Sequence, residues 1–333
     1  MLTPLSHRIR RHFPKIVILV VSCILSAVVA EGAWRVYAQH KFGTGFWDSP
    51  SRHRDDVLGW SGKVLLGESN TTKKKVLIVG DSFTDGMGVE EEKMYYSYLK
   101  QYADVELFVL SGKGYGTLQE YLLLDAYFDE VQPDIVLLQM STNDVVNNSL
   151  QLEKQSALQN SLHMKPFLHE GEIIQAFPTR GGKIRVFLSD HSRLLYQAFL
   201  THDQYVAALA ISGQVGTVEK RIVAEGKRYQ PYQEALDITG QLLQKFKSRA
   251  NGALFIVFLA DDGEPIYTDL TALFRKEEEV PYITSVARTM QAARELERPY
   301  FLEDGGHWNE EGHRQVGKAL SWPLLGVLRD NTD

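Results

Sequence analysis

The sequence predicts a three-layer α/β/α fold, a doubly wound parallel sheet with helices on both faces, preceded by an N-terminal transmembrane helix. Three observations carry this expectation. Four apolar runs of strand length recur, KVLIVG at 75–80, VELFVL at 105–110, DIVLLQM at 134–140 and ALFIVFL at 253–259. Segments with helical spacing of apolar residues separate them, and a longer apolar stretch, Ile16 to Ala30, stands apart near the N-terminus. Strands this apolar suit a parallel sheet covered on both faces, and βαβα alternation winds helices above and below it.

The N-terminal stretch follows HRIRRHFPK, and the first thirty residues hold Arg8, Arg10, Arg11 and Lys15 with no acidic side chain. Fifteen residues give about 22 Å of helix, which Gly32, Ala33 and Trp34 extend toward the ~30 Å of a hydrocarbon core. Trp34 and Tyr37 fall where an interfacial aromatic belt belongs. The pattern predicts a basic tail and single-pass anchor over 1–38, in the inner membrane with its N-terminus in the cytoplasm and the remainder on the periplasmic side. Two alternatives stand beside it. Val28-Val29-Ala30 is a small-residue site that would release a secreted chain, and Val20-Val21-Ser22-Cys23 has the form of a lipoprotein signal, although the apolar ILSAVVA after it is an odd mature start. All three readings export residues 40–333.

From Gln39 to Lys75 the chain is polar, rich in Gly and Ser, and without sustained periodicity, which predicts a stalk and irregular entry segment over 39–75. One domain is expected over 76–328. Within it, Glu90 to Tyr102 and Thr117 to Phe128 have helical spacing, the second with a stripe of Leu118, Tyr121, Leu122 and Leu124. Residues 150–250 interrupt the rhythm with a mostly polar, mostly helical insertion that contains Gly181-Gly182 and a long helix near Tyr232 to Lys247.

Composition narrows the partners. With 333 residues, 44% hydrophobic and 23% charged, the chain is an ordinary globular protein, neither disordered nor a multi-span membrane protein. One Cys excludes a disulfide scaffold and a zinc site built on several thiolates. The net charge of -6 divides into a basic N-terminus of +4 and a remainder of -10, which argues against nucleic acid as a partner.

In open α/β sheets function gathers at the carboxyl ends of strands, and each apolar run here ends in residues able to do chemistry. The first exits into Gly80-Asp81-Ser82-Phe83-Thr84-Asp85-Gly86. A Ser on a tight strand-to-helix turn presents its hydroxyl at the sheet edge, with its own N–H toward a developing oxyanion. Thr84 occupies the position where an α/β-hydrolase elbow has Gly, and alone the motif reads equally as a structural Asx turn. The second run exits into Ser111-Gly112-Lys113-Gly114-Tyr115-Gly116-Thr117, an oxyanion or phosphate cradle or else a simple turn with Thr117 as N-cap. The third exits into Ser141-Thr142-Asn143-Asp144, where Asn143 is either a neutral donor or a capping residue. Near the C-terminus, Asp304-Gly305-Gly306-His307 lets one turn fold a carboxylate onto an imidazole and hold its tautomer. His313 reads as a packing or capping residue of the last helix. The His-Glu-x-x-His zinc pattern is absent, so no metal and no cofactor are expected.

In this order the four blocks resemble the SGNH hydrolase superfamily, the GDSL esterases and lipases, over roughly Val76 to Leu328. The resemblance implies a flavodoxin-like sheet and a serine esterase in which Ser82 is the nucleophile, His307 the base and Asp304 its partner. It also implies an oxyanion hole from the N–H of Ser82, the N–H of Gly114 and the side chain of Asn143, with Gly112 the second candidate for the glycine. Two positions depart from the family pattern: Ser141 stands for the usual Gly of block three, and Val109 for an Asn before the glycine loop. Asp55-Asp56-Val57-Leu58-Gly59-Trp60 further resembles a segment of membrane-tethered bacterial members. The expected activity is hydrolysis of a carboxylic ester, acetyl included, on a small molecule or a glycan. The alternatives are O-acyl transfer to an exported polysaccharide and a non-catalytic envelope protein.

Overall fold

A computed structural model describes residues 4–43, 45–46, 54–68, 71–158, 163–276 and 280–330. The side chains of Arg8, Arg10 and Arg11, and residues 44, 47–53, 69 and 70 of the 39–75 segment, lie outside the described set. In chain order the elements begin with helix α1 (Pro4–Phe42) and the short strands β1 (Arg54–Asp55), β2 (Gly59–Trp60) and β3 (Lys63–Leu65). Next come β4 (Lys74–Gly80), α2 (Ser82–Asp85), α3 (Tyr95–Tyr102), β5 (Val105–Ser111), α4 (Thr117–Val131), β6 (Ile135–Met140), α5 (Asp144–Asn147) and α6 (Leu150–Glu153). The insertion supplies β7 (Lys165–His169), β8 (Glu172–Ala176), α7 (Gly182–His191), α8 (Arg193–Ile211), α9 (Val218–Glu225) and α10 (Gln230–Arg249). The chain closes with β9 (Leu254–Leu259), α11 (Ile266–Lys276), β10 (Tyr282–Ile283), α12 (Ser285–Glu295) and α13 (Glu310–Asp330).

The main sheet runs β10-β9-β6-β4-β5-β3. Its first five strands are mutually parallel, and β3 joins the edge antiparallel to β5. The expected doubly wound parallel sheet is present, and β3 extends one edge of it antiparallel. The parallel strands follow the 2-1-3-4-5 order of doubly wound folds, whose switch point lies at the carboxyl ends of β4 and β6. That placement decides where a ligand can sit.

Alternation along each strand divides the core into two layers. Leu77, Val79, Val136, Leu138, Val257 and Leu259 face one side, where Tyr232, Leu236, Leu243 and Phe246 of α10 and Leu123 and Leu124 of α4 pack. Val76, Ile78, Ile135, Leu137, Ile256 and Phe258 face the other, under Tyr95 and Leu99 of α3, Val286 and Met290 of α12, and Val316 and Leu320 of α13. Full burial of each such side chain is worth about 1.5–3 kcal/mol, so the period of two locks the register of every central strand.

The four expected strands and the three expected helices are present, with shifted ends. The first helix starts at Tyr95, because Glu91–Lys93 forms a 3-10 turn and Met94 is extended (ψ 152°) to send its fully buried side chain inward. The second runs on to Val131, where Gln132 turns left-handed (φ 49°) ahead of Pro133. The insertion carries an antiparallel β7–β8 hairpin in addition to its helices. Glu170 and Gly171, both at positive φ, form its two-residue turn, the geometry that matches strand twist.

By length and composition, His12–Lys41 of α1 can cross a membrane.

Candidate active site

The turn after β4 is built around Gly80 and Asp81. A Cβ on Gly80 would collide with Gln139 Oε1 and Thr84 Oγ1, so only glycine lets the strand end approach β6 this closely. Gln139 Oε1 accepts from Asp81 N–H (3.1 Å) and from Thr84 Oγ1 (2.8 Å). Asp81 caps α2, its Oδ1 accepting from Phe83 N–H at 2.9 Å. Ser82, the first residue of α2, thus stands on a turn pinned from below, and its N–H has no acceptor among the described residues.

Ser82 Oγ lies 2.9 Å from His307 Nε2, and His307 Nδ1 lies 2.6 Å from Asp304 Oδ2. Ser82 and His307 are 225 positions apart in sequence, and the sheet delivers both to its carboxyl edge. Gly305 (φ 69°) makes the turn that brings Asp304 Oδ1 under the N–H groups of Gly306 (2.8 Å) and His307 (3.0 Å). Arg294 Nη1 donates to Gly305 O at 2.8 Å and holds the turn from outside. Phe83 packs on the His307 ring, 5.0 Å between centroids, and on buried Trp308 at 4.6 Å. Burial pulls the Asp304 carboxyl upward, but the bonds from the His307 ring and the two N–H groups outweigh it and hold it below the usual range. The group is a carboxylate at neutral pH.

The two loops flanking this turn are tied to it. Gly112 N–H donates to Gly80 O at 3.2 Å, so the second candidate glycine has its donor engaged. Gly114 (φ 70°) has no acceptor for its N–H among the described residues. Gly116, rather than Thr117, is the N-cap of α4; its N–H donates to Gln119 Oε1 (3.2 Å), while Thr117 is already helical and accepts from Asn148.

Asn143 begins the turn after β6. Ser141 Oγ lies 2.6 Å from Asp81 Oδ2 and also bonds Asn143 Oδ1. Burial pushes the Asp81 carboxyl up against the bonds that would lower it. Asn143 Oδ1 faces Ser141, and its Nδ2 has no partner among the described residues. The Ser-for-Gly departure therefore becomes a contact that orients Asn143.

Three supports were not assigned by sequence. Gln139 and Asp261 hold the first and third loops, and Trp60 holds the second by donating from Nε1 to Lys113 O at 3.0 Å. Tyr115 Oη donates back to Trp60 O at 2.6 Å, and Gln119 Nε2 donates to Leu58 O at 2.5 Å. The Asp55–Trp60 motif was the visible sign of the last support. His313 is buried, stacked on Tyr95 and accepting from its N–H at Nδ1 (3.3 Å); burial and the nearby His307 and Lys63 hold it down to about 3. It is a neutral packing residue.

Residues 76–171, which hold the first three of these loops, match the family model of the GDSL-like lipase/acylhydrolases. Over that stretch, under a third of the chain, the sequence is similar to these acylhydrolases, and the likeness supports an ester-bond hydrolase. Solved structures similar to the chain include TesA, at 14% identity over 77% of this chain and 99% of that one with a TM-score of 0.42. A psychrotrophic esterase, EstA from Pseudoalteromonas sp., matches at 13% over 77% and 99% with a TM-score of 0.43. A family 3 carbohydrate esterase of Clostridium thermocellum matches at 12% over 78% and 99% with a TM-score of 0.42. Comparison with curated protein sequences gives no significant match.

Proposed function

We propose that this protein is a serine esterase that works through an acyl-enzyme. The observation that carries the reading is the unbroken chain Ser82 Oγ, His307 Nε2, His307 Nδ1, Asp304 Oδ2, with contacts of 2.9 and 2.6 Å. His307 takes the Ser82 proton as Oγ attacks the ester carbonyl, while Asp304 fixes the tautomer that leaves Nε2 free to accept it. The tetrahedral oxyanion is held by the N–H groups of Ser82 and Gly114 and by Asn143 Nδ2. The alcohol leaves with the proton from His307, and water repeats the cycle to release the acid. Every group in these steps comes from the chain, so the reading calls for no cofactor.

The His307 and Asp304 side chains are 26% and 44% exposed, an open site that admits a small acyl group, such as acetyl, on a small or glycan alcohol. Residues 1–38 anchor the chain, 39–75 form an entry segment whose β3 joins the edge of the main sheet, and 76–328 form the rest of the hydrolase domain, which lies on the periplasmic side of the inner membrane.

The test is labelling of the full chain with a fluorophosphonate, followed by hydrolysis of esters of increasing acyl length with Ser82→Ala as the blank. Label at Ser82 and a loss of roughly 10³-fold or more in kcat for the variant are expected. Near-normal turnover by Ser82→Ala would refute the mechanism.

A further inference from the structure

The insertion places two consecutive helices, α7 and α8, against the end of the apolar N-terminal stretch. Glu31 follows Ala30 directly. Its carboxylate caps α8, accepting from Ser192 Oγ (2.8 Å), Arg193 N–H (2.8 Å) and Leu194 N–H (3.0 Å), and pairs with Arg35 at 2.6 Å. Arg35, itself buried, reaches on to His191 O at the end of α7 (3.3 Å). A carboxylate on the first N–H groups of a helix is among the stronger cap arrangements, so the α7–α8 corner is fixed at the level where the apolar stretch ends. Arg185 on α7 and Asp203 on α8 pair at 2.7 Å and hold the two helices together.

The outward faces of this pair carry exposed apolar side chains among polar ones. Ile184 and Phe187, on consecutive turns of α7, are 66% and 60% exposed, and Leu195 and Tyr205 stand out on α8 at 39% and 63%. Arg180 and Lys183, both exposed, flank the α7 face. Apolar side chains on a solvent face beside basic ones are the chemistry of a helix lying at a bilayer surface, with aliphatic and aromatic groups among the acyl chains and cations at anionic headgroups.

We propose that the α7–α8 pair lies on the outer leaflet of the bilayer spanned by α1, with Ile184, Phe187, Leu195 and Tyr205 at the headgroup and acyl boundary. The inference rests on α1 being a membrane anchor. It adds that the hydrolase domain is seated on the membrane in one orientation rather than swinging on its anchor.

The test uses the full chain in vesicles of phosphatidylcholine and phosphatidylglycerol. An environment-sensitive fluorophore is attached at native Cys23, or, in a Cys23→Ser background, at Phe187→Cys, Tyr205→Cys or Leu296→Cys. Leu296, 65% exposed at the end of α12, serves as the distant reference. The labels at 187 and 205 are expected to shift to the blue and lose emission to nitroxide carried on lipid, as the label at 23 does, while the label at 296 responds only to aqueous iodide. Quenching at 23 with 187 and 205 behaving like 296 overturns the seating and leaves the anchor standing. No quenching at 23 removes the anchor and the seating together. Labels at 187 and 205 shielded from both quenchers mean that protein covers this face, which also overturns the proposal.

Discussion

Asp261, just beyond β9, accepts two hydrogen bonds from Thr142, from its N–H and its Oγ1, each at 3.0 Å. The pair ties the fourth parallel strand to the turn that presents Asn143. Burial is the largest influence on this carboxyl and outweighs the two Thr142 bonds, with the charges of Asp81 and Asp262 adding to it; together they push it up to about 6.

A stability profile follows from that shift. The folded state holds the Asp261 proton more tightly than the unfolded chain does. Its contribution is therefore fully present below the unfolded value near 4 and is lost as pH rises through about 6. A displacement of this size corresponds to on the order of 3 kcal/mol. Relative to the native chain, Asp261→Asn is expected to gain stability between about pH 4 and 7, by no more than that amount. Urea unfolding of both proteins across this range checks it, and a constant difference between them would show that Asp261 does not titrate there.

The Ser141 hydroxyl gives the second prediction. Asn143→Ala removes one oxyanion donor and is expected to lower kcat by about 10² to 10³. Ser141→Ala keeps the amide but frees its orientation, so a smaller fall, about tenfold, is expected with little change in KM. Because Ser141 acts through Asn143, the double variant should be no slower than Asn143→Ala alone. Additive losses in that cycle would separate the two residues.

Trp60 supplies a third. Trp60→Phe keeps an aromatic ring beside Tyr115 but loses the hydrogen bond to Lys113 O, worth about 0.5–1.5 kcal/mol net. If Gly114 N–H is a donor, that loss appears in kcat, up to about tenfold, with the melting temperature nearly unchanged. A variant that melts early with unaltered kcat would make Trp60 a purely structural residue.

The sites legible in the sequence are those that use local chemistry. Gly80-Asp81-Ser82 and Asp304-Gly305-Gly306-His307 each contain their own turn, and each closes that turn with an aspartate accepting from an N–H two or three residues on. The central strands were legible because both faces are buried and nearly every buried residue is apolar, Glu106, Ser111 and Gln139 being the polar exceptions. What escaped depends on contacts between distant segments. Gln139 looks like a strand residue until Gly80 is seen against it, and Asp261 looks like the end of a strand until Thr142 reaches it. The edge strands β3 and β10, of three and two residues, carry too few side chains for a period to register. The β7–β8 hairpin was hidden by its surroundings, since its Glu170-Gly171 turn sits in a segment whose other elements are helices.

The last prediction concerns Asp304 and turns on a geometric constraint. Its Oδ1 accepts from two backbone N–H groups, those of Gly306 and His307, while Oδ2 faces His307 Nδ1. In Asp304→Asn the amide oxygen must stay beneath the two N–H donors, since placing the NH₂ there would oppose donor to donor. The NH₂ is then forced against His307 Nδ1, which has to accept rather than donate, and the ring proton moves to Nε2. An imidazole protonated at Nε2 cannot take the proton of Ser82. A fall in kcat of about 10³ to 10⁴ at neutral pH is expected, with slower fluorophosphonate labelling of Ser82 in parallel. Asp304 is half-exposed, so the melting temperature should barely move. Labelling at the native rate in Asp304→Asn would mean that His307 keeps its tautomer without Asp304, and the carboxylate would lose its place in the mechanism.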